Sequence, residues 1–262
     1  MNRREFLTGG GGTLAAALAA GGARGEDAPR EYYELKLFSL RRGPMVQRTE
    51  SFWRDAAIPA MKRAGVGPVG VFNVATGADS PTLHVLIPHP SLQSIVELPQ
   101  KLADDAEFRA AGREFLQAPA TDPSYVRIES SLMAAFTGIP KLEVPPQAAD
   151  GRPRLFELRT YESHSHAASR KKIEMFNIGE IAIFRRTRLR PVFFGETLIG
   201  TRIPNLTYML VYDDAAARER AWGTFVADPE WKALSAKPEY ADSAIVSRIT
   251  SVLLRPAPFS QI

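Results

Sequence analysis

The chain has 262 residues, 45% hydrophobic and 24% charged, which suits well-cored globular domains and argues against disorder. Its formal charge is +4, half of it from Arg3, Arg4 and Arg24 against Glu5, so the rest is close to neutral and offers no electrostatic basis for binding nucleic acid. There is no cysteine, which excludes disulfides, zinc–thiolate and iron–sulfur sites, and a thiol nucleophile together.

Residues 1–28 read as an address. Arg3-Arg4-Glu5-Phe6-Leu7 resembles the twin-arginine export signature. A glycine-rich bridge leads into Leu14–Ala20, an apolar run too short to span a bilayer. The small residues that follow suit cleavage after Ala19, Ala23 or Gly25; an ordinary Sec signal or retention as an anchor is the alternative. The expectation is export by the twin-arginine route to the periplasm or the exterior. No later stretch approaches about 18 consecutive apolar residues, so the mature chain is not expected to span a membrane.

From residue 31 onward, strand and helix patterns follow in order. Glu31 to Leu40 alternates as a strand, and Pro44, suited to a first helical turn, opens a helix to Ala64 that Gly65 and Gly67 end. Val66 to Thr76 and Thr82 to Pro88 are strands joined by the turn Gly77-Ala78-Asp79-Ser80-Pro81. A helical region over 91–117, broken near Pro99, precedes a strand from Ser124 to Phe136. Gly138 to Pro153, with Pro140, Pro145 and Pro146, reads as a linker. The order then repeats: a strand over 154–161, a helix over 165–186, strands over 189–198 and 206–212 around a 200–205 turn, a helical region over 215–234 broken near Pro229, and a strand over 243–254.

The repetition extends to residues. Tyr33-Glu34-Leu35-Lys36 matches Phe156-Glu157-Leu158-Arg159, 123 positions on. Pro81-Thr82-Leu83 recurs as Pro204-Asn205-Leu206, and Asp105-Ala106-Glu107-Phe108-Arg109 as Asp228-Pro229-Glu230-Trp231-Lys232. Arg127 to Leu132 pairs with Arg248 to Leu253. Such a period exceeds solenoid repeats and records a duplicated domain, with copies at 31–137 and 154–262. Strand-helix-strand-strand-helix-strand is the ferredoxin-like α+β plan: a four-stranded antiparallel sheet with both helices on one face.

Phe156-Glu157-Leu158-Arg159-Thr160-Tyr161 resembles the opening strand of the NIPSNAP family, and Asp228-Pro229-Glu230-Trp231 is similar to a segment those proteins carry before their last strand. The first copy departs, with Lys36 for the arginine and Phe38 for the tyrosine. The resemblance implies that the two sheets pack face to face as a pseudo-dimeric α/β barrel, doing within one chain what single-domain relatives do by dimerising. Self-association of the whole chain stays open.

Residues two apart in a strand share a face. If the helices claim the apolar set, then Phe156, Leu158 and Thr160 face them, as do Leu35 and Leu37. Glu157, Arg159 and Tyr161, with Glu34 and Lys36, then face the barrel interior. Glu196, Arg127 with Glu129, and Arg248 with Thr250 add to this expected polar lining. Buried charges must pair, so the set reads either as a polar pocket or as ion pairs that hold register between the sheets.

His164-Ser165-His166 follows the opening strand of the second copy. Alternate histidines could hold a metal or a haem, and some members of the wider barrel superfamily bind haem through one histidine. Arg41-Arg42 stands at the matching place in the first copy, with no third ligand near in sequence, so a solvated turn is the plainer reading and no metal site is assigned. His84 reads as a core or barrel residue and His89 as a loop residue. Arg170-Lys171-Lys172 and Arg185-Arg186-Thr187-Arg188 read as solvated helix faces, with a phosphate-bearing ligand as the sharper alternative. Trp222, Phe225 and Trp231 read as core anchors.

No phosphate loop, dinucleotide fingerprint or nucleophile elbow is present, and no catalytic residue is identified. The leading functional reading is a protein that binds a small ligand or a partner through its barrel. The candidate pocket residues are Glu157, Arg159, Tyr161, Glu196, Arg248 and His164. The alternative is a cofactor-free or haem-dependent oxidoreductase or isomerase, in which a carboxylate takes a proton and Arg159 stabilises the enolate.

Overall fold

The computed structural model describes residues 29–76 and 80–262; residues 1–28, where the export signal is read, and 77–79 of the first inter-strand turn lie outside it. Its strands are β1 (Tyr32–Ser39), β2 (Gly70–Thr76), β3 (Thr82–His89), β4 (Arg127–Ala135), β5 (Leu155–Glu162), β6 (Arg190–Ile199), β7 (Asn205–Tyr212) and β8 (Arg248–Pro256). Each half has the order expected of the ferredoxin-like plan, β4-β1-β3-β2 and β8-β5-β7-β6. The halves join edge to edge, β4 against β6 and β2 against β8, so the two sheets face each other across one closed antiparallel barrel.

The seams are short and related by the duplication. Leu132–Ala135 pairs with 195–199, Leu253–Pro256 pairs with 72–76, and each register carries one irregularity. Upstream of the seams, β4 pairs only with β1 and β8 only with β5, which opens the wall at that end.

The long helix of each copy carries one π turn at the same place: Pro44–Phe52, Trp53–Ala57 and Ile58–Arg63 in the first, His166–Met175, Phe176–Glu180 and Ile181–Arg186 in the second. The helix Leu92–Asp104 runs through Pro99, and the break comes at Asp105 instead. Proline removes one donor from a helix, whereas the extended Asp105 starts a new one by accepting the Phe108 amide at 2.9 Å. Asp228 caps the equivalent helix, accepting from the Glu230 and Trp231 amides. The repeated acidic motif also ties down the end of the long helix. Arg63 meets Asp105 at 2.6 Å and Glu107 at 3.0 Å, and Arg186 meets Asp228 at 2.6 Å and Glu230 at 2.7 Å. The last strand begins at Arg248, later than read, because Pro238–Tyr240 and Asp242–Ile245 form helical turns. The 138–153 segment packs on the second half: Glu143 N–H donates to Val192 O at 2.8 Å and Gln147 to Asp213 at 2.6 Å.

The apolar side chains form one cluster under each helical layer and a third inside the barrel. Tyr33, Leu35, Phe72, Phe156, Leu158 and Phe193 belong to the inner one. The expected strand faces are therefore reversed. Leu35, Leu37, Phe156, Leu158 and Thr160 point into the barrel, while Glu157 and Tyr161 lie on the helix side. The reason is physical: the meeting of two concave sheets is itself a large apolar interface, and it claims the apolar set of β1 and β5. One end of the interior is plugged by aromatic pairs, Tyr33 with Phe193 at 5.1 Å and Phe72 with Phe156 at 4.8 Å, together with Ile262. Among the described residues no helix is long and apolar enough to cross a membrane.

Candidate functional site

Two polar assemblies result, and only one is open. Under the helix Ala215–Ala227, the fully buried Glu157 accepts six hydrogen bonds. Its Oε1 receives Arg159 Nη1 at 2.9 Å, Arg218 Nη2 at 2.6 Å and Ser251 Oγ at 2.7 Å. Its Oε2 receives Tyr212 Oη at 3.0 Å, Arg218 Nε at 2.8 Å and Trp222 Nε1 at 2.9 Å. A carboxylate has about four lone-pair sites, so nothing is left for a substrate. Burial pushes this carboxyl up, but the bonds from Arg218, Trp222 and Ser251 and the charge of Arg159 outweigh it and hold it at about 2. Such a group is a poor general base at neutral pH.

Arg159 lies over the Trp222 ring at 4.7 Å and donates to Tyr161 Oη at 3.2 Å, which also accepts from Tyr208 at 3.1 Å. Next to Tyr161, Lys172 and Glu180 form an ion pair at 3.2 Å, both nearly fully buried, with the ammonium among the rings of Tyr161, Phe176 and Trp231. Burial pushes Glu180 up; Lys172 stays above the usual lysine range because Glu180, Tyr161 and Asp242 outweigh its own burial. Lys172 is thus no part of a solvated face, contrary to the reading of Arg170-Lys171-Lys172. In the first half, Glu34 has among the described residues only Lys36 and Ser130, the latter at 2.7 Å and matching Ser251, and it stays partly exposed.

The second assembly is the open end of the barrel, a cavity of about 580 Å³. Its floor is aliphatic: Leu35, Leu37, Val74, Met133, Leu158 and Val252. Above it runs a belt of hydroxyls, including Ser39, Thr82, Ser131, Thr160, Thr207 and Thr250. Thr160 and Thr207 share a bond of 2.9 Å, and Thr250, beside Thr160 in register, has a buried hydroxyl with no partner among the described residues. His84 completes this wall from β3, with Arg127, Glu129 and Arg202 at the rim.

Of the six residues singled out in the sequence, the structure unites Glu157, Arg159 and Tyr161, but on the helix side and away from the cavity. Glu196 lies opposite Leu206 and Ala134 and has no polar partner among the described residues. Arg248 is exposed at the start of β8, and His164 is exposed just before the helix that begins at His166; neither lines the cavity. His164 is therefore not placed to ligate a haem held in the barrel. His84 lies on the barrel wall as read, whereas His89 ends β3 and is buried, its Nδ1 3.1 Å from Ser94 Oγ. Arg127, Glu129 and Thr250 do face inward, as expected. Arg218 and Tyr212 escaped the sequence reading because their partner Glu157 lies on another element, Lys172 and Glu180 because the π turn between them sets their contact, and Arg202 because nothing local marks its turn as part of a cavity rim.

Comparison with known proteins agrees with the architecture. The NIPSNAP family model matches residues 33–131 and 156–261, one span in each half. No functionally curated protein is significantly similar to the chain. A provisionally assigned monooxygenase from Lactobacillus acidophilus has a similar structure, with a TM-score of 0.55 at 9% identity over 87% of this chain and 94% of that one. Another from Fusobacterium nucleatum has a TM-score of 0.55 at 8% identity over 87% of this chain and 93% of its own. At these identities the likeness is one of fold alone. A NIPSNAP-like domain protein of Burkholderia xenovorans is 26% identical over 41% of this chain and 88% of its own, with a TM-score of 0.37.

Proposed function

The chain belongs to the NIPSNAP family through both of its halves, and we propose that it binds a small amphipathic molecule in the open end of the barrel those halves close. The observation that carries this reading is the cavity of about 580 Å³ with an aliphatic floor and a hydroxyl belt. Small-molecule sites enclose about 300 to 1,000 Å³, lined by apolar groups with a few polar ones that fix orientation. The unpartnered Thr250 hydroxyl supplies one such polar group. The saturated Glu157 gives no support to an acid–base enzyme centred on it.

The apolar dye anilinonaphthalene sulfonate is expected to bind the native protein saturably, with one fluorescence-enhancing site. Thr160→Trp, which fills the space above Leu158, is expected to remove that enhancement while leaving the thermal unfolding profile cooperative. No saturable enhancement, or an equal one in the variant, would contradict the reading.

We also propose export by the twin-arginine route, to the periplasm or beyond, on the strength of Arg3-Arg4-Glu5-Phe6-Leu7. Replacing both arginines with lysine is expected to leave the full-length precursor in the cytoplasm of a bacterial host. Recovery of processed protein in the periplasm from that variant would refute it.

A further inference from the structure

We infer that the molecule held in the barrel is an aliphatic carboxylic acid, its carboxylate bound at the rim by Arg202 with Arg127 beside the same cavity. This inference rests on the cavity being a binding site and adds the chemical class of its ligand.

The first ground is the balance of hydrogen-bonding groups. Arg202 has one charged neighbour, Glu162, at 3.8 Å, which is beyond hydrogen-bond reach, and Glu162 is not part of the cavity wall. Its guanidinium therefore has no hydrogen-bond acceptor among the described residues. Arg127 spends Nε on Glu129 at 2.8 Å and reaches Ser39 Oγ only at 3.5 Å, so it too has donors to spare. That contact also occupies Glu129, the one carboxylate of the cavity wall among the described residues. Hydroxyls can donate as well as accept, so the belt can add donors to those of the two rim guanidinium groups. The complementary ligand group is an anionic acceptor. A carboxylate matches the planar fork of a guanidinium with two parallel bonds.

The second ground is how Arg202 is held. It adopts φ of 58°, a left-handed conformation uncommon for a residue with a side chain. Asn205 stabilises it, donating from Nδ2 to the carbonyls of Thr201 and Arg202, each at 3.0 Å, and accepting Thr197 Oγ1 at 2.6 Å. Strain of this kind persists where surrounding contacts over-determine it, and here Asn205 fixes the backbone from which the Arg202 side chain projects at the rim.

The floor chooses the rest of the ligand. Leucine, valine and methionine line it, and among the described residues no phenylalanine, tyrosine or tryptophan does. A flexible alkyl chain fits such a surface, whereas a sugar or a planar ring would find no aromatic side chain in the floor to stack on.

Titration calorimetry of the mature chain with octanoate and its neutral isostere octanamide tests the assignment. Octanoate is expected to bind at least about tenfold more tightly, and Arg202→Gln to bring the two within about threefold. Arg202→Lys should retain part of the preference, and an unchanged thermal melt shows that the variants are folded. Equal affinity for acid and amide, or no effect of Arg202→Gln, overturns the carboxylate assignment. Binding of neither, with anilinonaphthalene sulfonate still bound, also overturns it but leaves the cavity as a binding site. Loss of dye binding as well removes both.

Discussion

Replacing Glu157 with glutamine is expected to destabilise the protein by about 3 to 5 kcal/mol, or on the order of 10 °C in Tm for a chain of this size. The variant leaves Arg159 and Arg218 beside a neutral amide that cannot accept six bonds, and two guanidinium charges lose their common counter-ion. The effect has a pH signature. The carboxyl lies near 4.5 when free and at about 2 in the folded protein. A group whose folded value is depressed stabilises fully above the free value and loses that contribution as pH falls towards the folded one. The difference between wild type and Glu157→Gln should therefore shrink by about 3 kcal/mol as pH falls from 4.5 to 2. Denaturant titrations across that range measure it, and a difference that does not change with pH would show that the carboxylate is not held as described.

The second large effect concerns Lys172 and Glu180. Lys172→Met alone leaves the Glu180 carboxyl buried without its cation and is expected to cost about 3 to 5 kcal/mol. Combining it with Glu180→Leu should recover most of that loss, because a well-packed apolar pair of similar volume avoids the desolvation of two ions. The first half supports this expectation. It has Thr49 and Ala57 at the matching positions, both buried, and Thr49 satisfies its hydroxyl on the carbonyls of Met45 and Ser124. The fold is thus built once without the ion pair. Denaturant unfolding of the two single variants and the double one tests this, and losses that simply add would contradict it.

The duplication was legible because its marks are local and ordered. Asp105 and Asp228 are helix caps with fixed spacing to the groups they accept from, and a cap can be read from a few adjacent residues. The strand order followed from that pattern, since the ferredoxin-like plan admits few alternatives. Which face of β1 and β5 is inner was not legible. Alternation separates Phe156 and Leu158 from Glu157 and Arg159, but it does not say which set meets the helices. That depends on Arg218 and Trp222, some 60 residues away, which cross β5 only once the chain is folded. Lys172 misled for a more local reason: among Arg170 and Lys171 it reads as surface, and the Phe176–Glu180 π turn brings Glu180 into contact with it. The cavity was the least visible feature. Its hydroxyl belt draws single threonines from β3, β5, β7 and β8, and no one segment is unusual.

The claim on which the functional account stands is that the space beside Thr160 and Thr250 is reachable from solvent and is where small molecules bind. The absence of native cysteine makes a single introduced thiol specific, so the direct measurement is the alkylation rate of Thr160→Cys by iodoacetamide, with and without saturating anilinonaphthalene sulfonate. The account predicts reaction under native conditions and marked slowing when the dye is bound. A thiol at this position that reacts only on unfolding, or at a rate indifferent to bound dye, would contradict it.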